Sequence, residues 1–296
     1  MASAAGAGGL GQAGSTEVGR GAVELAVILA GAGAVLLGPR LFGDPQGVDP
    51  FAWRLSAYFG AVCGASLAIP SLRRLTALTF SLLTLALPVS IWLWLLAYSG
   101  PAPGWIGPPN SVARNVAAGI AQLVLALMMA AGFWMLAGRP RLRLLARPGR
   151  AALVLALGGT LAFLLVAFAL PASLLGREGV PLLALSGTAG AGLGVANAAS
   201  AVAQEVQFRA VFQVALEQRF SPALAVVVQG LVFGVGHLAI QYEGPAASFI
   251  PIVVGLGWLW GWMTIRAKSL LPAAVMHVVA DFFILAAVVS GLYGGS

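Results

Sequence analysis

Uninterrupted apolar runs fill most of this chain, and they leave it one kind of fold. Mostly apolar segments lie near 21–38, 52–70, 75–99, 113–137, 151–172, 182–217, 222–241, 247–265 and 270–290. Most are close to the ~20 residues a helix needs to cross a bilayer core. No water reaches the backbone there, so such a run folds as a helix, which satisfies its own polar groups. Charged residues make up only 8% of the chain and hydrophobic ones 60%, whereas soluble domains carry about 25% charge. Mean hydropathy is +0.95. A water-soluble protein of this length could not hide so much apolar surface in one core. The sequence therefore predicts an all-α, polytopic membrane helical bundle of about eight or nine transmembrane helices. The long run 182–217 can divide in two, and 52–70, which holds Arg54, can lie at the interface.

The net charge of +7 reflects topology and not nucleic-acid binding. Basic residues crowd short loops: Arg73 and Arg74, then five arginines within 138–150, then Arg219, then Arg266 and Lys268. If every segment spans, all four loops fall on one side, and the positive-inside rule makes that side cytoplasmic. The facing loops hold Asp44, Asp49, Glu178 and Glu243. The N-terminus would be cytoplasmic and, with nine spans, the C-terminus outside. Arginine almost to the exclusion of lysine suggests a GC-rich bacterial genome, hence a multi-pass protein of the inner membrane. Residues 1–19, rich in Gly, Ala and Ser, lack the features of a signal peptide and read as a disordered tail. Residues 20–150 carry helices without a specific signature, and 151–296 hold the chemistry, with 138–150 as the boundary. Two Pro/Gly/Trp-rich loops, 99–110 and 243–247, face away from the basic side. The single cysteine, Cys63, excludes an internal disulfide. The small residues of 184–203 are expected to let helix backbones approach closely, holding the polar helix that follows against its neighbours.

That second half contains both histidines, each in an apolar run beside a possible polar partner. His237 closes Phe233-Gly234-Val235-Gly236-His237, and His277 opens His277-Val278-Val279-Ala280-Asp281. Gln204-Glu205-Val206-Gln207-Phe208-Arg209 precedes them. Ionisable groups in a bilayer cost roughly 2.5–3.5 kcal/mol each on insertion scales and are kept mainly where they act. Residues four apart share a helix face, which pairs Glu205 with Arg209, Phe233 with His237, and His277 with Asp281. Gln204, about 100° round the helix from Glu205, can address a neighbouring helix instead of Arg209. Taken singly, the Glu205–Arg209 pair could mainly orient its helix, His237 could be a bonded core histidine, and His277 with Asp281 could join two helices. Their joint occurrence in one half of the chain points to one active site.

The stretch from Gln204 to Asp281 resembles the membrane-embedded CAAX-protease and bacteriocin-processing family. That family's Glu-Glu-x-x-x-Arg motif is matched by Gln204, Glu205 and Arg209, its Phe-x-x-x-His by Phe233 and His237, and its His-x-x-x-Asn/Asp by His277 and Asp281. Phe208-Arg209-Ala210 stands where the family often shows Phe-Arg-Gly, and 266–273 looks like its lead-in to the third motif. The resemblance covers about 180–290 and implies an intramembrane endopeptidase that uses glutamate-activated water. The first acid with His237 would activate the water, while His277 and Asp281 would polarise the peptide carbonyl. An ionised Asp281 only accepts hydrogen bonds, so it could instead orient His277. Arg209 and Phe233 would have orienting roles. Substrates would be membrane-anchored or lipid-modified proteins, cut near a C-terminal processing or sorting signal, or bacteriocin-like precursors. Such substrates would enter laterally from the lipid bilayer.

The chain departs from this pattern at Gln204, because an amide cannot serve as a general base. The expectation is a deliberately inactivated form of an active protease, altered at this one position. The alternatives are a pseudoenzyme, or Glu205 acting as base at the expense of Arg209's partner. No cofactor is expected. Glu205, His237, His277 and Asp281 could supply zinc ligands, but the resemblance favours a metal-free reaction. A non-catalytic scaffold, immunity protein or secretion factor is the rival from another class. A transporter is weaker, since no repeat halves are visible.

Overall fold

The computed structural model describes residues 9–41, 48–97, 111–145, 149–169, 188–237 and 246–293. They form nine helical rods, with no strand among the described residues. The rods are α1 (Gly9–Leu41), α2 (Val48–Ala68), α3 (Thr76–Ala97), α4 (Val112–Leu136) and α5 (Arg150–Ala169). Next comes one composite rod, in which α6 (Thr188–Glu205) runs through a π-helical stretch (Val206–Phe212) into α7 (Gln213–Glu217). The last three are α8 (Pro222–Gly236), α9 (Ala246–Ala267) and α10 (Leu271–Tyr293). The all-α bundle is thus as expected, and 188–217 is one rod, not two pieces. By length and composition, Pro70–Leu96, Val112–Leu136 and Ile250–Ala267 can cross a membrane, and three shorter apolar helices accompany them. α1 begins at Gly9, inside the segment 1–19 assigned to a tail. Residues 1–8, the loop at 99–110, residues 182–187 with Glu178, and 243–245 of the second loop lie outside the described residues.

The apolar pattern of the bundle is inverted relative to a water-soluble protein. On α5 the large residues Val154, Leu157, Leu161 and Leu165 face outward, all more than half exposed, while Ala152 and Ala156 face the neighbouring helices. Such a surface suits lipid, and small inward residues let helices approach. The same device works at the centre. A Cβ on Gly119 of α4 would stand 2.5 Å from the Ala196 carbonyl oxygen of α6. A Cβ on Gly257 of α9 would stand 2.9 Å from Gly230 Cα of α8. Only glycine permits either approach.

The composite rod sits in the middle of the bundle, and all seven π-helical residues are buried. Phe208, Phe212 and Leu216 join a core with Phe233, Trp260 and Met276. Val206, Ala210, Val211 and Val214 join a second core with Phe133 of α4. A helix apolar on all sides belongs in such a position, yet this one also carries Glu205, Gln207, Arg209 and Gln213, each fully buried.

The basic loops do gather on one face. Glu217 accepts from Arg143 Nη2 at 2.6 Å, tying the loop after α4 to the end of α7. Glu24 of α1 pairs with Arg74 and stands 3.9 Å from Arg219. Lys268 lines a cavity with Arg139, Arg141 and Arg143.

Candidate active site

The π-helix begins immediately after Glu205, at the motif itself. π-stretches are rare and concentrate at functional sites. Here the extra residue in the turn is accommodated by side-chain bonds to neighbouring helices. Pro88 interrupts α3, and because proline has no N–H, the carbonyl four residues earlier loses its helical donor. That carbonyl belongs to Thr84. Gln207 Nε2 donates to it at 2.7 Å and also lies 3.2 Å from the Leu85 carbonyl. On the opposite side, Arg209 Nη2 and Gln229 Nε2 both reach the Gly257 carbonyl of α9, at 3.4 and 2.6 Å.

Held in this way, Glu205 becomes the hub of the site. Its Oε1 lies 2.9 Å from Arg209 Nη1 and 2.7 Å from His277 Nδ1 of α10. Its Oε2 is buried without a hydrogen-bond partner among the described residues. His277 Nε2 faces Asp281 Oδ1 at 3.4 Å, so both ring nitrogens confront carboxylates. The Trp260 indole stacks on the His277 ring, with centroids 4.2 Å apart and planes at 22°. The Arg209 guanidinium stands 4.5 Å from the Phe233 ring centroid and 5.4 Å from that of Trp260. Cation–π contacts of this kind help a buried guanidinium that has few acceptors.

His237 occupies the C-terminal end of α8. Its Nδ1 lies 2.7 Å from the Phe233 carbonyl. A carbonyl can only accept, so Nδ1 carries a proton, and in the neutral form of the ring Nε2 is the acceptor nitrogen. Phe233 lies between the two histidines, its ring 4.7 Å from that of His237 and 5.7 Å from that of His277. Gln204 is oriented differently. Its Nε2 lies 3.4 Å from Ser200 Oγ, and Ser200 in turn donates to Gln122 Oε1 of α4 at 2.8 Å. The sequence-predicted residues thus form one polar constellation of Glu205, Arg209, His277 and Asp281. Phe233 and His237 pack against it, and Gln204 is turned toward the α4 side.

Residues 186–283 match the family model for type II CAAX prenyl endopeptidase, Rce1-like. The matched stretch contains all three motifs and closes two residues after Asp281, bearing out the resemblance drawn from them. Residues 1–185 lie outside the match. No curated protein and no solved structure matches the chain.

Spacing alone did not reveal four contributors, and two had a usable signal. Gln229 lies four residues before Phe233, and Gln213 lies four after Arg209, so each extends a motif face by one turn. Gln213 Nε2 donates to Glu217 Oε1 at 2.9 Å and lies 3.4 Å from the Gly261 carbonyl of α9. Trp260 and Gln207 act across helices and left no such trace. Among the described residues no three His, Cys, Asp or Glu side chains converge to hold a metal ion.

Proposed function

We propose that this chain is an intramembrane endopeptidase of the CAAX-protease type whose hydrolytic step is impaired at Gln204. The reading is carried by a buried glutamate fixed by an arginine and a histidine within the family-matched segment. A carboxylate at the preceding position, 204, would take a proton from water as the water attacks a peptide carbonyl, and nearby N–H groups can stabilise the oxyanion. The 3.4 Å approach of Asp281 to His277 favours Asp281 as the residue that orients His277 over Asp281 as a donor to the carbonyl. The reaction uses no metal. Substrates are membrane-anchored or lipid-modified proteins cut near a C-terminal signal, entering between helices from the bilayer. The arginine-rich face lies in the cytoplasm of a bacterium, with the N-terminus on that side.

The test uses protein reconstituted in liposomes with a membrane-anchored reporter that ends in a short hydrophobic helix, its binding confirmed by crosslinking. General-base catalysis is worth about 10²–10⁴-fold, so Gln204→Glu should raise cleavage by that order, and a chelator should leave the gain intact. If native protein cleaves and Glu205→Gln abolishes that activity while Gln204→Glu adds nothing, Glu205 is the base. The non-catalytic scaffold reading, which Gln204 itself favours, stands if the bound reporter is untouched by both the native and Gln204→Glu forms. For orientation, a Cys63→Ser background carrying Arg141→Cys should react with an impermeant maleimide only from the cytoplasmic side.

A further inference from the structure

The cavity on the basic face is separate from the candidate active site. It has a volume of about 1120 Å³, and Glu217 on its wall lies roughly 18 Å along the composite rod from Glu205. One side is apolar, formed by α4 from Leu127 to Trp134, and both of those residues are exposed. The other side carries Arg139, Arg141, Arg143 and Lys268 against a single carboxylate, Glu217.

One of these cations lacks an acceptor on one nitrogen, and another is anchored to the apolar wall. Arg143 gives Nη2 to Glu217 at 2.6 Å, but its Nη1 is buried with no hydrogen-bond partner among the described residues. A buried guanidinium N–H without an acceptor costs free energy, and an anionic oxygen is its natural partner. The Arg139 guanidinium stands 5.2 Å from the Trp134 ring centroid, which fixes a charge at the upper edge of the apolar wall. Both Arg139 and Lys268 have positive φ, 60° and 52°, so the backbone turns sharply at each side of the opening.

We propose that this groove binds one anionic phospholipid. The phosphate would lie among Arg139, Arg141, Arg143 and Lys268, and an acyl chain would run along α4 beside Leu127. The apolar wall decides between lipid and a soluble anion. A phosphate ion would use the cations and leave about 10 Å of apolar helix without a role, whereas a phospholipid uses both. The wall also continues into the outward apolar surface of α4, where Met128 and Met135 are exposed, so the acyl chain never leaves the bilayer. Basic pockets at the ends of spanning helices are recurrent sites for acidic headgroups.

A ligand that binds only the folded state raises its unfolding temperature. Full-length protein in detergent is heated with added phosphatidylglycerol, phosphatidylcholine, inorganic phosphate, or an apolar peptide ending in a free carboxylate. Unfolding is followed by labelling of Cys63, the only cysteine and buried, with a thiol-reactive dye. The expected result is a rise of several degrees with phosphatidylglycerol alone. The triple variant Arg139→Gln, Arg141→Gln, Lys268→Gln should lose that rise. Arg141→Gln and Lys268→Gln singly change exposed side chains, so these variants fold and should each weaken the rise. An equal rise with phosphatidylcholine would overturn headgroup recognition. A rise with inorganic phosphate would make the site one for soluble anions. A rise with the peptide but not with phosphatidylglycerol would make the occupant a protein C-terminus. An undiminished rise in the folded variants would place the lipid elsewhere.

Discussion

Replacing Gln207 with leucine isolates the contact that anchors the π-helix to α3. Leucine has nearly the volume of glutamine, so packing is largely kept and the change removes chiefly the donor to the Thr84 carbonyl. An unpaired buried carbonyl costs about 1–3 kcal/mol. Interhelical hydrogen bonds measured inside membranes are weaker, about 0.6 kcal/mol on average and at most about 1.7. Gln207 Oε1 is itself buried without a hydrogen-bond partner, so losing the amide relieves part of the loss. The expected cost of Gln207→Leu is therefore about 1 kcal/mol, and it should depend on Pro88. Alanine at 88 restores an N–H that can donate to Thr84 along α3, which makes Gln207 dispensable. In the Pro88→Ala background the cost should fall to within about 0.5 kcal/mol of zero, a coupling of the size expected for contacting residues. The four proteins of the cycle are compared by equilibrium unfolding in mixed micelles, with Cys63 labelling as the signal. Equal costs in both backgrounds would refute the claim that Gln207 serves the carbonyl freed by proline.

Other substitutions probe the site and its packing. Arg209→Met leaves the buried Glu205 carboxylate without its guanidinium, and breaking such a pair costs about 3–5 kcal/mol; adding Glu205→Gln should recover part of this in the same unfolding assay, and no recovery would argue against charge as the cause. Trp260→Phe keeps an aromatic ring over His277 and removes an indole N–H that has no hydrogen-bond partner among the described residues. The smaller ring leaves a void, so the cost should lie below about 3–5 kcal/mol, that of truncating a buried Trp to Ala, and a larger loss would mean that the N–H is bonded. Gly119→Val drives a branched side chain into the Ala196 backbone and should cost at least 1–3 kcal/mol, seen as a lower unfolding temperature and poor yield from the membrane.

The sequence made visible those parts of the site that follow from one helix at a time. The four-residue rule pairs Glu205 with Arg209, and the atoms meet at 2.9 Å. It pairs His277 with Asp281, which approach to 3.4 Å. Most helix positions were also readable, because a bilayer imposes a length on every apolar run, although α1 begins at Gly9 and not near residue 21. The contacts that join helices left less trace. Glu205 and His277 are 72 residues apart; clustering of the polar residues in one half of the chain points to a shared site, but no spacing rule pairs these two side chains. The π-helix was not legible, because Val206–Phe212 is ordinary helical sequence and the carbonyl that Gln207 meets lies beside Pro88, more than a hundred residues earlier. A proline in one helix and a glutamine in another have no common period, so neither spacing nor hydropathy connects them.

The same cross-helix geometry changes what Gln204 implies. From spacing alone, a catalytic Glu205 would have to abandon Arg209, since one carboxylate was assigned to one partner. In the folded chain both Arg209 and His277 converge on Oε1, and Oε2 is not drawn into that pairing. A carboxylate has about four lone-pair sites, so Glu205 can keep its guanidinium and still offer the second oxygen to a water. The amide at 204 therefore removes one carboxylate from the motif but not the last. His237, whose Nδ1 is turned to the Phe233 carbonyl, packs against the Phe233 ring. On the proposed function, activity in this chain would depend on whether a water at Oε2 could also reach a substrate carbonyl polarised from the His277 side. That is a question of substrate position between the helices, and it is why Glu205→Gln and Gln204→Glu have to be measured on the same bound reporter.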